Sequence, residues 1–335
     1  MPMSTPGADK VKVVKQLARP EIVFAAARRT GTSVLYFGGS DFRVHAVDLG
    51  HDRPEPRELG AHSSYVTGLA VAGGSLVSGG YDGRLIWWDL STGSQVRVVD
   101  AHAKWIRRVA ASPDGQLIAS VADDMVCRVW ETTTGALHAE LHGHDETTPH
   151  HFPSMLYAVA FSEDGKHLAT GDKVGRVNLW SVEDGRAVAR LTAPTFYTWD
   201  PVQRRHSIGG IRALAFSPDG SRLAIGGIGQ IGNIDHLDSK PRIEVFDWRA
   251  GRRIGEVQGE GRGLVEHLVY HPQSEWLMGA GGYSDGFLLF CDSDATKALA
   301  QAKMPMYVHD LVLNDDHEGA VAVGHHKLAT VIWST

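Results

Sequence analysis

One pattern occurs three times in this chain: YDGRLIWWDLSTG (Tyr81–Gly93), DDMVCRVWETTTG (Asp123–Gly135) and KVGRVNLWSVEDG (Lys173–Gly185). Each copy reads as a turn, a short apolar strand that ends in Trp, and a polar turn closed by Gly. Internal repetition of this kind is typical of repeat architectures. The repeat therefore predicts the fold before any single residue suggests a chemistry.

Seven positions match the Trp that ends this strand. They are Val47, Trp88, Trp130, Trp180, Phe246, Cys291 and Trp333. Their spacings are 41, 42, 50, 66, 45 and 42 residues. Four of these spacings are close to the roughly 40–45 residues that one four-stranded propeller blade needs. The two longer spacings must hold insertions.

Further strands lie upstream of the terminal Trp in each unit. Leu117–Val121 and Trp105–Ala110 are two such apolar segments, and the turn Ser112–Gly115 joins them. The same turn recurs at Ser162–Gly165 and Ser217–Gly220. Each unit is therefore predicted to be a small antiparallel sheet of short strands.

These units resemble the WD40-repeat family, and the resemblance covers nearly the whole chain. It implies a hydrogen-bonded group in each blade: His before the first strand, Ser or Thr in the second, Asp in the next turn and Trp in the third. Two units match in full, with His62, Ser78, Asp82, Trp88 and His102, Ser120, Asp124, Trp130. The fourth unit keeps Thr170 and Trp180 but has Val174 in the Asp position.

The resemblance and the spacing together predict an all-β, seven-bladed WD40-type propeller that forms a single domain over residues 1–335. The last third strand ends at Trp333, and Val11–Leu17 reads as a strand ahead of the first blade. We expect residues 11–17 to be the outer strand of the last blade and to close the ring, which removes an exposed sheet edge. Residues 1–10 are expected to be flexible.

Composition excludes several classes of function. The net charge of −6 and the pI of about 6.3 provide no basic face for nucleic acid. No apolar run approaches the roughly 18 residues of a membrane span, and the N-terminus has no secretory h-region. We therefore expect a cytoplasmic protein without membrane contact, whose oligomeric state the sequence leaves open. Cys127 and Cys291 are expected to be buried small hydrophobes.

Two short motifs match catalytic or cofactor signatures but lack the required context. Gly227–Gly232 matches G-x-G-x-x-G, yet no helical pattern follows to hold phosphates. Gly282–Gly286 matches the G-x-S-x-G elbow, yet a strand follows it instead of a helix. We therefore expect no cofactor and no enzymatic activity.

A dense group of histidines leaves a metal site open as an alternative. The candidate ligands at the channel mouth are His150, His151, His206 and His236. Against this, His144 fills the family's His position in the fourth blade, and His150 and His151 lie on an inserted loop. The alternative function is thus a metal-binding or enzymatic propeller.

Three insertions interrupt the repeat, at residues 145–154, 193–210 and 228–241. The resemblance implies that all three lie on one face, over blades four and five. The second insertion is rich in the residue types that dominate interface hot spots: Phe196, Tyr197, Trp199, Arg204 and Arg205. The first alternative is a partner-binding surface, and the second is a set of loops that pack on each other and plug the channel.

A second set of candidates comes from the starts of the first strands. These equivalent positions hold Thr67, Arg107, Tyr157, Arg212, Glu266 and His309. The resemblance implies that first strands line the central channel, so these side chains should face its mouth. Varied polar residues at one repeat position favour recognition, and the alternative is a solvated lining. We therefore predict a non-catalytic scaffold that binds a protein or peptide, with a subunit of a larger fixed assembly as a further alternative.

Overall fold

The computed structural model describes residues 10–202, 205–232 and 239–333. Strands dominate this part of the chain, and one 3-10 helix, Pro194–Phe196, interrupts them. The strands form six sheets of four or more strands and one two-stranded hairpin. The prediction of an all-β propeller is confirmed. The expected flexibility of residues 1–10 falls, except for Lys10, on residues outside the described part.

The strands follow one another with short connections. The first units contain β1 (Val11–Arg28), β2 (Val34–Gly39), β3 (Arg43–Asp48), β4 (Arg57–Ala61), β5 (Val66–Ala72), β6 (Ser75–Gly80), β7 (Arg84–Asp89), β8 (Gln95–Asp100), β9 (Ile106–Ala111), β10 (Leu117–Ala122), β11 (Val126–Glu131) and β12 (Leu137–His142). The middle of the chain contains β13 (Leu156–Phe161), β14 (His167–Asp172), β15 (Arg176–Ser181), β16 (Ala187–Thr192), β17 (Tyr197–Asp200), β18 (His206–Gly209), β19 (Ile211–Phe216), β20 (Arg222–Ile228), β21 (Pro241–Asp247) and β22 (Arg252–Gln258). The last strands are β23 (Leu264–Tyr270), β24 (Leu277–Gly282), β25 (Gly286–Cys291), β26 (Ala298–Met304), β27 (Val308–Leu313) and β28 (Gly319–Trp333).

Five sheets have four antiparallel strands, each strand paired with its neighbour in the chain. We number them by the sequence unit that forms them: sheet 2 (β5–β8), sheet 3 (β9–β12), sheet 4 (β13–β16), sheet 5 (β19–β22) and sheet 6 (β23–β26). Strands β17 and β18 form the separate hairpin, which lies within the second insertion.

Sheet 1 has six strands in the order β27-β28-β1-β2-β3-β4 and contains both ends of the described chain. Strand β1 is 18 residues long, and its first part pairs with β28 from Val11↔Trp333 onward. Its second part pairs with β2, from Val23↔Gly39 to Arg28↔Leu35. The structure therefore has six such sheets among the described residues where seven blades were predicted, because the unbroken β1 joins the first and last units into one sheet.

The turn between first and second strands has a side-chain cause. Ser112 Oγ donates a hydrogen bond to Asp114 Oδ1 at 2.6 Å, and the backbone N–H of Leu117 donates to Ser112 Oγ at 2.9 Å. Gly115 completes the turn with a φ of +69°, which a residue with a Cβ rarely adopts. The predicted Ser-x-Asp-Gly turn signal is confirmed.

The hydrophobic core lies between neighbouring sheets. Trp87 is fully buried, packs with Ile106 and Ile118 of the next sheet, and donates from its indole N–H to Thr132 O at 2.9 Å. Burial of a large side chain of this kind stabilises a fold by about 2–3 kcal/mol. Cys127 and Cys291 are buried free thiols, as expected, and burial raises the pKa of Cys291 to about 12. No helix in the described ranges is long and apolar enough to cross a membrane.

First strands of neighbouring sheets contact one another, and their side chains meet across a central channel. Arg108 of β9 reaches Asp310 of β27 at 2.9 Å and also lies 2.9 Å from His267 Nδ1 of β23. Three strands far apart in sequence thus face one axis. The loops that connect the strands therefore lie at the two ends of the channel.

Candidate functional site

Two sheets contain the complete hydrogen-bonded tetrad that the resemblance implies. In sheet 2, Trp88 Nε1 donates to Ser78 Oγ at 2.9 Å, and Ser78 Oγ lies 2.8 Å from His62 Nε2. His62 Nδ1 lies 3.0 Å from Asp82 Oδ1. Because an ionised carboxylate only accepts, His62 carries its proton on Nδ1 and accepts from Ser78 on Nε2. Sheet 3 repeats this geometry with the same atoms of His102, Ser120, Asp124 and Trp130.

Opposing effects set the acidity of these tetrads. Burial raises the pKa of Asp82, but the hydrogen bond from His62 and those from the backbone N–H groups of Ser63 and Arg84 outweigh it and lower that pKa to about 2. In sheet 3 the shifted group is the histidine. Burial lowers the pKa of His102, although the hydrogen bond and the charge of Asp124 act to raise it. Each tetrad is therefore a largely buried, hydrogen-bonded network, and networks of this kind rigidify the structure around them.

Sheet 4 contains a third complete tetrad, which corrects the expectation based on Val174. His144 Nδ1 lies 2.8 Å from Asp172 Oδ2, and its Nε2 lies 2.8 Å from Thr170 Oγ1. Trp180 Nε1 also donates to Thr170 Oγ1, at 2.9 Å. Asp172 ends strand β14, two residues before the position where the pattern places Asp. The Asp172 side chain reaches the histidine from the strand end, and its Oδ1 also accepts from the backbone N–H of Val174 at 3.0 Å.

The first unit replaces the tetrad with a different polar cluster. His45 Nε2 lies 2.8 Å from Asp41 Oδ2, and the His45 ring stacks on Phe37 at 4.9 Å. Arg19 Nε donates to Glu21 Oε1 at 2.7 Å. Glu21, Asp41 and His45 form the one three-ligand group found among the described residues. The guanidinium of Arg19 already neutralises Glu21, so the cluster is satisfied as a protein network.

The second insertion folds into an ordered hairpin next to the channel. Strands β17 and β18 pair from Tyr197↔Gly209 to Asp200↔His206. Phe196, a predicted contact residue, is fully buried against Ala193 and Ile211. The prediction that Phe196 faces a partner is wrong, because its ring anchors the hairpin to sheet 5.

Aromatic contacts join the first and second insertions. His150 stacks on Trp199 with ring centroids 4.1 Å apart, and its Nδ1 lies 2.9 Å from Tyr197 Oη. The Phe152 ring meets His206 edge to face at 5.4 Å. His150 and His206 thus pack against aromatic rings, and within the described residues the predicted histidines form no three-ligand group. His151 is exposed.

The third insertion packs onto the second. Ile228 and Ile231 are buried with Leu264, and Ile208 of the hairpin packs against them. The backbone N–H of Ile231 donates to Thr198 Oγ1 at 3.0 Å. The three insertions therefore form one continuous structure, which we call the cap (residues 145–154, 193–202, 205–210, 228–232 and 239–241). Tyr197 and Trp199 are half-buried in it and Arg205 is exposed, whereas Arg204 and His236 lie outside the described residues.

The starts of the first strands converge, as predicted, on a cavity of about 170 Å³ at the channel mouth. All six candidates line it: Thr67, Arg107, Tyr157, Arg212, Glu266 and His309. Three further lining residues escaped the sequence analysis: Phe24, Tyr81 and Arg108. Phe24 follows Val23 as Thr67 follows Val66, so its repeat position was a signal that could have identified it. The cap borders this cavity, since a Cβ on Gly210 would lie 2.7 Å from the Tyr157 ring.

Most charges at the mouth are paired. Arg107 makes two hydrogen bonds to Asp123, at 2.8 and 2.6 Å, and one to Tyr81 Oη at 2.5 Å. Glu266 Oε1 accepts from Tyr307 Oη at 2.6 Å. Burial lowers the pKa of His309 to about 4, so this imidazole is neutral near pH 7.

A row of aromatic side chains, three exposed and one half-buried, leads from sheet 1 to sheet 3, and the sequence analysis missed it. Its members are Phe42, Tyr65, Tyr81 and Trp105, which we call the aromatic row. Consecutive ring centroids are 5.4, 5.7 and 4.5 Å apart. Trp105 lies flat on Tyr81 and is 50% exposed. Tyr65 and Trp105 share one repeat position, directly before a first strand, whereas Phe42 and Tyr81 occupy two other positions, so spacing alone did not identify the row.

Comparison with known proteins identifies part of the repeat directly. Residues 54–89, 93–131 and 137–181 match the family described as WD domain, G-beta repeat. Each matching segment contains one complete tetrad. The units that the match omits are those in which the tetrad is absent or replaced.

Relatives with different names share the repeat region. The chain is 30% identical over 224 residues to nuclear distribution protein PAC1 of Arthroderma otae, a match that covers 61% of this chain and 44% of that protein. It is 26% identical over 201 residues to telomerase protein component 1 of Rattus norvegicus, covering 59% and 6%. It is 30% identical over 170 residues to apoptotic protease-activating factor 1 of the same organism, covering 50% and 13%. The matches span less than half the length of each of these relatives.

Proposed function

Because this chain is a WD40-repeat protein, we propose that it is a non-catalytic scaffold that binds a protein or peptide through the face that carries the cap. The observation that supports this most directly is the order of the cap itself. Its loops form a hairpin, aromatic stacks and a small apolar core at the channel mouth. Long loops that are ordered in this way are usually functional.

We infer that the frame of the scaffold is a seven-bladed ring, with two blades merged in sheet 1. The backbone N–H of Trp333 donates to Glu318 O at 2.9 Å, which places the two ends of β28 side by side. His326 has a φ of +58°, consistent with a tight turn inside β28. Strand β28 then counts as two strands and β1 as two, so sheet 1 divides into two four-stranded blades.

Closure of the ring by the N-terminal strand is part of this proposal. The pairing of Val11–Ala18 with the second half of β28 and the contact of β27 with β1 support it. Such pairing covers a sheet edge that would otherwise remain open. A closed ring is rigid, and rigidity allows the cap to present its side chains at fixed positions.

The cap combines a packed interior with an available surface, which addresses the alternative of a simple plug. Phe196 and Ile231 are buried and hold the cap together. Tyr197 and Trp199 keep part of their surface exposed, and Arg205 is exposed. Tyr, Trp and Arg are the residues most enriched in interface hot spots. We propose that the buried residues of the cap hold its exposed residues in position for a partner.

Cytoplasmic residence stays a prediction.

The experiment that tests this proposal is affinity capture with the full chain. Wild type is compared with a Trp199→Ala, Arg204→Ala, Arg205→Ala triple variant and with a Lys166→Ala, Arg186→Ala control. Lys166 and Arg186 are exposed in turns at the opposite end of sheet 4. We expect the triple variant to lose partners that the control retains. If all three proteins captured the same partners, the cap would not be part of the binding site.

A further inference from the structure

The channel mouth contains two basic side chains that the described protein does not satisfy, and the first is Arg212. Its guanidinium carbon lies 3.8 Å from the centroid of the Tyr157 ring. Its buried Nε has no hydrogen-bond partner in the described part of the chain. A guanidinium has five N–H donors, so this side chain has donor capacity to offer a ligand.

Lys173 is the second. It does not line the cavity itself but lies beside it, because a Cβ on Gly210 would meet both the Tyr157 ring and Lys173 Cα. The residue is only 7% exposed, and its Nζ has one long hydrogen bond, 3.5 Å, to Pro153 O. No carboxylate among the described residues lies within ion-pair distance of it. Burial lowers the pKa of Lys173, and the charge of Arg212 lowers it further. The two cations therefore act on one another, and an anion would relieve both.

The charge balance of the mouth indicates how much negative charge it accepts. Arg107 is paired with Asp123, and Arg108 with Asp310. Glu266 is the one carboxylate in the cavity lining, and its charge balances one of the two cations that have no ion-pair partner among the described residues. One positive charge is left over. A singly charged group suits this surplus, whereas a phosphate with nearly two charges would leave the mouth negative.

The surroundings indicate that this group belongs to a peptide. The cavity of about 170 Å³ has room for a short side chain. A second depression next to it is lined by Tyr81, Lys104, Trp105 and Asp123. Exposed Trp and Tyr side chains beside a charged cavity form an amphipathic surface that suits a peptide segment better than a free small anion.

We propose that the channel mouth binds the carboxylate side chain of an Asp or Glu in a partner peptide, held by Arg212 and Lys173, while residues flanking it contact the aromatic row. This inference rests on the proposed function and specifies the chemistry of the partner. Charge-assisted hydrogen bonds from two cations hold the carboxylate, and stacking with Trp105 orients the peptide.

The test begins with selection of random nonapeptides displayed on phage against the purified full chain. We expect the selected peptides to share an Asp or Glu. A selected peptide is then synthesised with glutamate, glutamine or phosphoserine at that position, and its affinity is measured by fluorescence anisotropy. The glutamine version should bind about tenfold more weakly than the glutamate version. A preference for phosphoserine over glutamate would contradict the charge balance, and selection of no peptide would also overturn the proposal.

Variants of the chain test whether the preference for the glutamate peptide arises at the channel mouth. In Arg212→Gln and in Lys173→Met the difference between the glutamate and glutamine peptides should disappear, whereas Arg186→Gln at the opposite end should preserve it. Thermal melting checks that each variant folds, and two independent variants protect the test from a folding failure of one. If the difference survives in both folded variants, the carboxylate site is wrong. Partner capture that still depends on Trp199 would leave the proposed function standing.

Discussion

The carboxylate of Asp172 lies 2.8 Å from Nδ1 of His144, and both side chains are 1% exposed. The family pattern places the acid two residues later, at Val174. Asp172→Ala should lower the free energy of unfolding by about 3 kcal/mol, because it leaves a buried polar partner unsatisfied. Val174→Asp should bring no gain. Urea denaturation followed by tryptophan fluorescence measures both, and a stabilising Val174→Asp would contradict the structural assignment.

Pairing of the N-terminal strand with β28 should contribute strongly to stability. Deleting residues 1–20 removes the pairs from Val11 to Ala18, so we expect a large fall in melting temperature. A matched pair of point variants separates packing from chain length. Val13→Asp faces the core and should cost about 2 kcal/mol, whereas Lys12→Ser is exposed and should cost less than about 0.5 kcal/mol. Unchanged melting of the deletion variant would refute closure by this strand.

His309 should make stability depend on pH. Burial lowers its pKa to about 4 from an ordinary value of 6.5. The unfolded chain therefore binds more protons between these values, so stability is full above pH 6.5 and falls as the pH drops towards 4. His309→Gln should remove part of this slope, by up to about 3 kcal/mol over the window. Scanning fluorimetry from pH 4 to 8 provides the measurement, and parallel slopes for the two proteins would exclude His309 as the cause.

Gly210 should be intolerant of a side chain. Its φ is +125°, and a Cβ there would lie 2.7 Å from the Tyr157 ring and 3.3 Å from Lys173 Cα. Gly210→Ala should therefore displace the cap from the mouth, cost about 2 kcal/mol or more, and weaken peptide binding. Gly220→Ala is the control, since φ there is +67° but nothing lies within 4 Å. If the two substitutions had equal effects on peptide binding, the position of the cap would not matter for the peptide site.

The repeat itself was readable because it is local. A strand that ends in Trp88 or Trp130 is encoded within about ten residues, and so is the Ser-x-Asp-Gly turn at Ser112–Gly115, because alternation and turn chemistry act over that range. The resemblance to the WD40 family, and not the local pattern, implied the two full tetrads and the positions lining the channel. It failed at Asp172, because a flexible carboxylate can reach the same histidine from more than one backbone position.

Contacts between distant segments were not readable in this way. Phe196 is a residue type that is common at interfaces, but here it is buried. It packs against Ala193 and Ile211, which the fold of the hairpin brings next to it. The aromatic row joins residues of three sequence units, and nothing in their spacing brings Phe42 towards Trp105. The exposure of a side chain depends on which residues from other segments pack against it, and the sequence of one segment does not specify those residues.

By itself, the sequence determined the all-β repeat, its turns, and the segments where insertions interrupt it, because each depends on residues close together in the chain. Only the tertiary structure decided that β1 runs unbroken from the last unit into the first, that the cap is one packed body, and that, among the described residues, Arg212 Nε has no hydrogen-bond partner and Lys173 no ion-pair partner. The physical reason is that pairing and desolvation of a charge depend on every strand that surrounds it. Those strands come from distant parts of the chain.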